Sequence, residues 1–346
     1  MTLYGIIRTF LRLKVDNCLN FHRNLITHRY FYILLFLFLP SIPIVAQELP
    51  FTHYTPESEV NPLPSADVRS MYQDRIGYLW KVVYSSGLIR YDGHHYERFS
   101  TEDGLPGLDV REVIEDHLGR LWVASDEGLV VSEKPLTEYD VNDRIRFISR
   151  IGSTQLMQSA VGEHRLAVDT RGVLLVGTRQ QGVLRYHLVS PDSVTVDTIK
   201  TDMQNDGKNK DVRSILVRSD SSVYVGGGGG DILIFSTAAP RPSLLNENNG
   251  APRFNTDVLY ETSTGKLFGG CQNGMVWELV ESNGKRRIEL RSNYMKSRVT
   301  CIFEPSSGIL WVGSEGSGVL RLNENQDAQS PQHYFYTIRN GLLSNN

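Results

Sequence analysis

A repeated phrase runs along this chain: an apolar strand, an acidic or small turn, Gly, one variable residue, a hydrophobic residue, and then Trp or a substitute. It is clearest as QDRIGYLW at 73–80, EDHLGRLW at 115–122 and EPSSGILW at 304–311. Degenerate copies end at Leu175, Tyr224 and Phe268. The anchors lie 42 to 53 residues apart, and a period of this size indicates a repeat architecture. Such a scaffold typically presents a shared binding face.

The first repeat shows what one copy builds. Four short β-rich runs, at Val68–Gln73, Tyr78–Tyr84, Leu88–Tyr91 and Tyr96–Phe99, are separated by turns rich in Asp, Ser and Gly. Runs of this kind read as antiparallel strands, and four strands in roughly 40–45 residues form one blade of a β-propeller. Because sustained helical spacing of apolar residues is lacking in the repeats, we predict an all-β propeller of about six four-stranded blades.

Two positions of the repeat recur as structural anchors. The first turn and the following strand supply Gly77, Trp80, Gly119, Trp122, Gly172, Gly265, Gly308 and Trp311. The second turn carries a glycine in every copy: Gly87, Gly128, Gly182, Gly230, Gly274 and Gly318. We expect these second-turn glycines to have positive φ. The tryptophans lie in apolar strands, which predicts packing between blades rather than sugar-stacking platforms.

Residues 1–46 differ from the repeats. Basic residues from Arg8 to Arg29 precede the apolar run Tyr30–Leu39, and a small residue, Ala46, offers a cleavage point. This order is typical of a secretory signal, and the run is short for a membrane span of about 20 residues. We predict a signal peptide or an uncleaved N-terminal anchor, and therefore a periplasmic or extracytoplasmic protein. Gln47 is not the cysteine of a lipoprotein.

The composition of the exported part narrows the classes of partner. Without residues 1–46, 31 Lys and Arg residues face 38 Asp and Glu residues, with no basic cluster. This balance argues against nucleic acid. Gly226–Gly230 lacks the Lys-Ser/Thr ending of a P-loop, and HExxH, CxxC and GxSxG motifs are missing, so we predict no cofactor or metal. Cys271 and Cys301 are expected to be idle thiols, although export leaves a disulfide open.

The two ends of the repeat region are unmatched. Leu49–Thr55 resembles a lone outer strand, and NGLLSNN at 340–346 resembles the connector DGLPGLD at 103–109. We therefore expect the propeller domain, 47–346, to be an incomplete seven-bladed ring truncated at its C-terminus, with a closed six-bladed ring as the rival interpretation. The repeats lie near 67–106, 109–150, 160–200, 211–245, 254–292 and 298–340.

The repeat resembles the two-component regulator propeller family. The motifs that carry the resemblance are DVRSMYQDRIGYLW at 67–80, GLIRYD at 87–92, FSTEDGLP at 99–106, VREVIEDHLGRLW at 110–122, and the stretches 309–321 and 336–346. The third to fifth repeats depart from it, since Leu175, Tyr224 and Phe268 replace Trp.

Such propellers typically form the periplasmic sensor region of hybrid two-component system histidine kinases. The resemblance implies an oligosaccharide or other small ligand, and downstream sensor and kinase domains in a longer protein. It also implies association with the inner membrane through a downstream transmembrane helix, and leaves open a homodimer of the full-length protein. Kinase chemistry is not assigned to this chain.

An Asp-Val-Arg triplet recurs where inner strands are predicted to begin. Its charged members are Asp67, Arg69, Asp109, Arg111, Asp211 and Arg213. As a set they are the candidate ligand-binding residues, able to bind ligand hydroxyl groups; for any single residue we favour the alternative, a solvated charge or one paired with its neighbours. The predicted function is ligand sensing without catalysis. Two alternatives remain: an exported lyase or glycoside hydrolase acting on polysaccharide, and a structural or interaction propeller.

Overall fold

The computed structural model describes most of the repeat region. The described residues are 51–58, 62–65, 67–140, 143–149, 166–179, 181–190, 193–201, 211–236, 242–245, 254–324 and 334–344. The predicted signal, residues 1–46, lies outside them. Among the described residues, no helix is both long and apolar enough to cross a membrane.

The described strands form six antiparallel sheets of four strands each, and every sheet is built from four consecutive strands of the chain. This up-and-down order, repeated six times, makes the fold a β-propeller of six four-stranded blades. The strands of blades 1 to 3 are β1 Val68–Gln73, β2 Leu79–Val83, β3 Gly87–Tyr91, β4 Tyr96–Phe99, β5 Val110–Glu115, β6 Leu121–Ser125, β7 Gly128–Ser132, β8 Phe147–Ile148, β9 Leu166–Val168, β10 Leu174–Gly177, β11 Val183–Ser190 and β12 Ser193–Ile199.

Blades 4 to 6 follow the same order. Their strands are β13 Val212–Val217, β14 Ser222–Gly227, β15 Ile232–Ser236, β16 Ser243–Leu245, β17 Thr256–Glu261, β18 Leu267–Cys271, β19 Val276–Ser282, β20 Lys285–Ser292, β21 Val299–Ser306, β22 Ile309–Ser314, β23 Gly318–Asn323 and β24 Tyr334–Tyr336. The bounds predicted for β1 and β4 are confirmed, whereas β2 is one residue shorter at each end than predicted.

The second turn of each blade needs its glycine. All six predicted second-turn glycines have positive φ, for example 81° at Gly87 and 90° at Gly318. A Cβ at these two positions would lie 2.4 Å from the carbonyl oxygen of Phe99 and 2.2 Å from that of Tyr336. A side chain there would therefore clash with the outermost strand of the same blade.

Most anchor side chains pack between blades, as predicted. Trp80 has no exposed surface and packs in a cluster with Val113 and Val123 of the next blade. Trp122 likewise packs against Leu174 of blade 3. Leu175, Tyr224 and Phe268, which replace Trp, are also buried. Trp311 differs, because it is only half-buried.

Glutamates link consecutive blades at the ends of their inner strands. Glu115 of blade 2 accepts the backbone N–H of Arg75, in the first turn of blade 1, at 2.9 Å. Glu261 accepts the N–H of Ser219 at 2.9 Å, and Glu304 accepts that of Ser263. Each carboxylate thus ties its inner strand to the first turn of the preceding blade.

The two described cysteines are both free thiols. Cys271 is buried and Cys301 is exposed. The alternative prediction of a disulfide between them is therefore wrong. The two side chains lie in different environments, on strands of two blades. Burial raises the pKa of the Cys271 thiol to about 12.

Candidate functional site

Backbone hydrogen bonds align the starts of five inner strands. The residue before each inner strand accepts a hydrogen bond at its carbonyl oxygen from the residue that follows the second strand of its blade. These acceptors are Asp67, Asp109, Asp211, Asn255 and Arg298. The Asp-Val-Arg triplets of blades 1, 2 and 4 therefore occupy one equivalent position, as predicted, and blades 5 and 6 place Asn255 and Arg298 there.

A β-bulge follows immediately in all five of these blades. The strand register skips one residue of the inner strand each time. The skipped residues are Arg69, Arg111, Arg213, Asp257 and Thr300. A bulge leaves one residue without a cross-strand partner and re-aims its side chain, and bulges are common beside functional sites. The arginine of the triplet is thus the bulged residue in each of the three blades that contain it.

In blades 1 and 2, the bulged arginines are paired within their own blade. Arg69 lies 3.8 Å from Asp67, and its guanidinium covers the ring of Tyr84 at 4.0 Å. Arg111 forms a two-point contact with Asp126, its Nε donating to Oδ1 at 2.8 Å. Asp109 is not the partner of Arg111; instead it accepts a 3.4 Å hydrogen bond from Ser85.

In blades 4 to 6, the pairs join into one network across blades. Arg213 Nε donates to Asp211 at 2.9 Å, and its Nη1 donates to Asp257 of blade 5, also at 2.9 Å. Arg298 of blade 6 lies 3.4 Å from the other oxygen of Asp257. The Asp257 side chain is only 1% exposed, so a buried carboxylate stands between two arginines.

The network favours the charged form of Arg213. Desolvation disfavours its charge, but the hydrogen bonds and attraction of Asp257 and Asp211 outweigh that effect and raise its pKa. In the ion pairs of these blades, each positive guanidinium charge is balanced by a negative carboxylate. We refer to the bulged residues and their paired partners as the bulge face. It offers side-by-side donors and acceptors and little net charge.

The prediction that six charged residues lie at the starts of inner strands is confirmed. These residues are Asp67, Arg69, Asp109, Arg111, Asp211 and Arg213. Their mutual pairing, which was the alternative expectation, is present for Asp67 with Arg69 and for Asp211 with Arg213. Sequence reasoning missed Asp126, Asp257 and Arg298. Two of them had a signal in the repeat: Asp257 stands one repeat after Arg213, and Arg298 stands one repeat after Asn255, at the position that precedes the inner strand.

A small cavity lies near the bulge face in blade 4. Its lining includes Val212, Gly227 and Asp231, and its volume is about 10 Å³. This space suits about one water molecule. A ligand larger than a water molecule would not fit in this cavity.

Comparisons with known proteins agree on the fold. No family model matches the chain, and no curated protein matches it. The extracellular domain of the putative hybrid two-component system BT4673 from B. thetaiotaomicron superposes with a TM-score of 0.60 at 17% identity, over 85% of this chain and 36% of that one. The type-IX secretion component PorZ of Porphyromonas gingivalis gives 0.59 at 17% identity, over 86% and 44%.

A third similar structure belongs to another functional class. A catalytically inactive virginiamycin B lyase from Staphylococcus aureus, solved with quinupristin, gives a TM-score of 0.58 at 15% identity, over 76% of this chain and 83% of the lyase. The chain spans about a third of the solved BT4673 extracellular domain and less than half of the solved PorZ chain. Because all three identities are low, these similarities show the β-propeller fold alone.

Proposed function

We propose that this chain is the ligand-sensing propeller of an extracytoplasmic signalling protein, and that its bulge face binds a neutral oligosaccharide. The observation that carries the proposal is the recurrent bulge, which sets Arg69, Arg111 and Arg213 at the same end of three inner strands. Residues re-aimed by a bulge on a rigid sheet suit recognition rather than folding. The likeness of fold to the BT4673 extracellular domain supports a sensing role.

The chemistry of the paired charges favours neutral hydroxyl groups. A guanidinium offers several donors and a carboxylate offers only acceptors, so a pair can serve both sides of a sugar hydroxyl. An anionic ligand would have to compete with Asp126 for Arg111, and with Asp211 and Asp257 for Arg213. The ligand class proposed here is therefore a neutral oligosaccharide.

The proposed mode is binding without turnover. A ligand that binds one arrangement of the full-length protein more tightly shifts the population toward it, and downstream sensor and kinase domains would transmit that shift. The competing function is catalysis, as in the lyase of similar fold. It predicts product formation from a polysaccharide or another substrate, and loss of that activity on substitution of one carboxylate.

The test is calorimetric titration of the full chain with neutral glucan, xylan, mannan and arabinan oligosaccharides, and with one sulfated oligosaccharide as a charge control. Arg111→Ala and Arg213→Ala should each weaken binding of the recognised neutral sugar by about tenfold or more, since each removes hydrogen bonds from a charged donor. Arg286→Ala, on the outermost strand of blade 5, is the matched control and should leave affinity unchanged.

Two results would contradict the proposal. One is unchanged affinity in both Arg111→Ala and Arg213→Ala while their folds stay intact. The other is release of product from the same oligosaccharides, followed by chromatography. Export is tested separately: we expect deletion of residues 1–46 to retain the protein in the cytoplasm, as measured by cell fractionation.

A further inference from the structure

One face of blade 6 is less covered than its counterparts. In β6 and β7 of blade 2 every residue is buried, whereas in β22 and β23 of blade 6 buried and half-buried residues alternate. Phe303 is 60% exposed, although Tyr72, its equivalent in blade 1, packs into the core between blades 1 and 2. The half-buried Trp311 lies on this same face.

On blade 1, the side away from blade 2 is exposed at the inner strand, although Lys81 and Ile89 behind it are buried. Extensive contact joins each blade to the next from blade 1 to blade 6, and the described strands of blades 6 and 1 form no such contact. Met71 of β1 is 64% exposed. Gln73 stands where Glu115, Glu261 and Glu304 link to a preceding blade, but its amide donates to Gly77 in its own turn.

Residues 51–55 lie at this opening. Phe51 meets Tyr336 of blade 6 edge-to-face at 5.8 Å and 78°. In blade 2, Phe147 of the outermost strand β8 meets Phe99 of blade 1 at 5.8 Å and 89°. Tyr336 in turn stacks on Trp311 at 5.3 Å, as Phe99 packs on Trp80 at 5.5 Å. Phe51 therefore occupies, beside blade 6, the place of an outermost strand of a following blade.

The same segment contacts both neighbours alternately. The ring Nε2 of His53 lies 2.8 Å from the carbonyl oxygen of Gly341, on the blade 6 side. The ring of Tyr54 lies 5.5 Å from Lys81 Nζ, on the blade 1 side. This alternation is that of a strand between two sheets. Residues 51–55 nevertheless have no strand partner, so the outer strand predicted from the sequence is unpaired there.

We propose that three further antiparallel strands of the same repeat chemistry occupy the space between blades 6 and 1, with residues 51–55 as the fourth, outermost strand of a seventh blade. The turn Thr337–Gly341 repeats the capping box of Ser100–Gly104, with a left-handed glycine at φ 99° against 97°. Ser100–Gly104 leads from β4 towards β5, the inner strand of the next blade. The turn after β24 therefore has the same geometry as the connector that precedes the inner strand β5. This inference is independent of the proposed ligand.

The test supplies the missing strands from the protein's own repeats. One variant carries, after Asn346, a copy of residues 110–132, and a second carries a copy of residues 68–91. A control tail is the 110–132 copy with Val113→Asp and Val123→Asp within the copy, because these valines pack on blade 1 in the parent blade. All proteins, including the unextended chain, carry Cys18→Ser, so that the exposed Cys301 on β21 reports coverage of the blade 6 face.

We expect at least one native tail to slow alkylation of Cys301 by about tenfold or more in a monomer, because a covered thiol reacts only on local opening. The control tail should leave the rate unchanged. Equal rates with and without both native tails would overturn the proposal. So would protection of Cys301 in the unextended chain through self-association, measured by light scattering, because a second copy would then be the occupant.

Discussion

Trp80 donates its indole N–H to the carboxylate of Asp74 at 2.8 Å, although the two residues lie on opposite sides of a tight turn. The other oxygen of Asp74 accepts the backbone N–H groups of Ile76, Gly77 and Tyr78. Both side chains are buried. Asp116 and Trp122 repeat the arrangement in blade 2 at 2.9 Å. The carboxylate thus closes the first turn and orients the anchor that packs on the next blade.

We expect Asp74→Ala to lower the free energy of unfolding by about 2–3 kcal/mol, because it leaves a buried indole N–H and several turn N–H groups without an acceptor. Urea denaturation followed by tryptophan fluorescence measures the change. Asp220→Ala, at an exposed turn, is the control and should cost less than about 1 kcal/mol. Equal losses in the two variants would show that the Asp74 network adds nothing specific.

The link between blades 5 and 6 should depend on pH. The backbone N–H of Ser263 and that of Gly308 lower the pKa of Glu304 below its ordinary value. Because the folded pKa is depressed, the stabilisation is complete above the ordinary pKa of about 4.3 and is lost as pH falls through the folded value.

We therefore expect Glu304→Gln to destabilise the protein by on the order of 1 kcal/mol at pH 7, with a difference from wild type that vanishes as pH falls below about 4. Thermal melts across pH 3–8 measure this trend. Glu281→Gln, at an exposed residue of β19, should change little at any pH. A Glu304→Gln difference that grows on acidification would contradict the assigned sign.

In blade 4, a serine occupies a backbone conformation that favours glycine. Ser221 has φ 67° at the position where the other blades carry Gly77, Gly119, Gly172, Gly265 and Gly308, all with positive φ. Ser221→Gly should raise stability by about 0.5–1 kcal/mol, because glycine adopts this conformation without a Cβ clash. Its hydroxyl contact with Thr170, at 2.9 Å on the surface, offsets part of the gain.

The matched control is Ser222→Gly at the next residue, which starts β14. That change should destabilise by roughly 0.5–1 kcal/mol, since glycine in a strand loses more conformational freedom on folding. Calorimetric melting temperatures of the two variants should therefore move in opposite directions. A fall for Ser221→Gly would mean that the Thr170 contact outweighs the backbone strain.

The two described thiols should react at very different rates. Burial raises the pKa of Cys271 to about 12, whereas Cys301 is exposed. At pH 8, iodoacetamide should modify Cys301 in the folded protein and Cys271 only after addition of denaturant, because the thiolate is the reactive form. Peptide mass spectrometry locates the modification. Rapid alkylation of Cys271 under native conditions would contradict its placement in the core between blades 4 and 5.

Much of the scaffold could be predicted because each blade repeats a local pattern. β1 and β4 follow from β-rich runs bounded by turn residues, and Gly87 follows from a turn that only glycine tolerates. The links at Glu115 and Glu304 could not be predicted, since their partners are backbone groups in another blade and the equivalent residues include Val168 and Val217.

The position of the bulge face could be predicted from the sequence, but the ion pairs within it could not. The recurrence of Asp-Val-Arg marks the starts of inner strands, but the sequence does not say which carboxylate each arginine meets. Arg111 meets Asp126 because the start of β5 lies beside the turn that follows β6. Asp257 was not predicted as a site residue, because blade 5 has Asn255, Thr256 and Asp257 in place of the Asp-Val-Arg triplet.

The bulged residue of each inner strand takes no part in the cross-strand pairing that holds its blade together. Arg213, Asp257 and Thr300 occupy the same structural position in three neighbouring blades, yet they are basic, acidic and neutral. The skipped residue has no cross-strand partner to satisfy, so its identity is free of the pairing that fixes the strand. Under the proposed function, exchanging the bulged residues of blades 1, 2 and 6 should change ligand preference at little cost in melting temperature. Exchanging Arg213 or Asp257 should lower the melting temperature, because it breaks the buried network of blades 4 to 6.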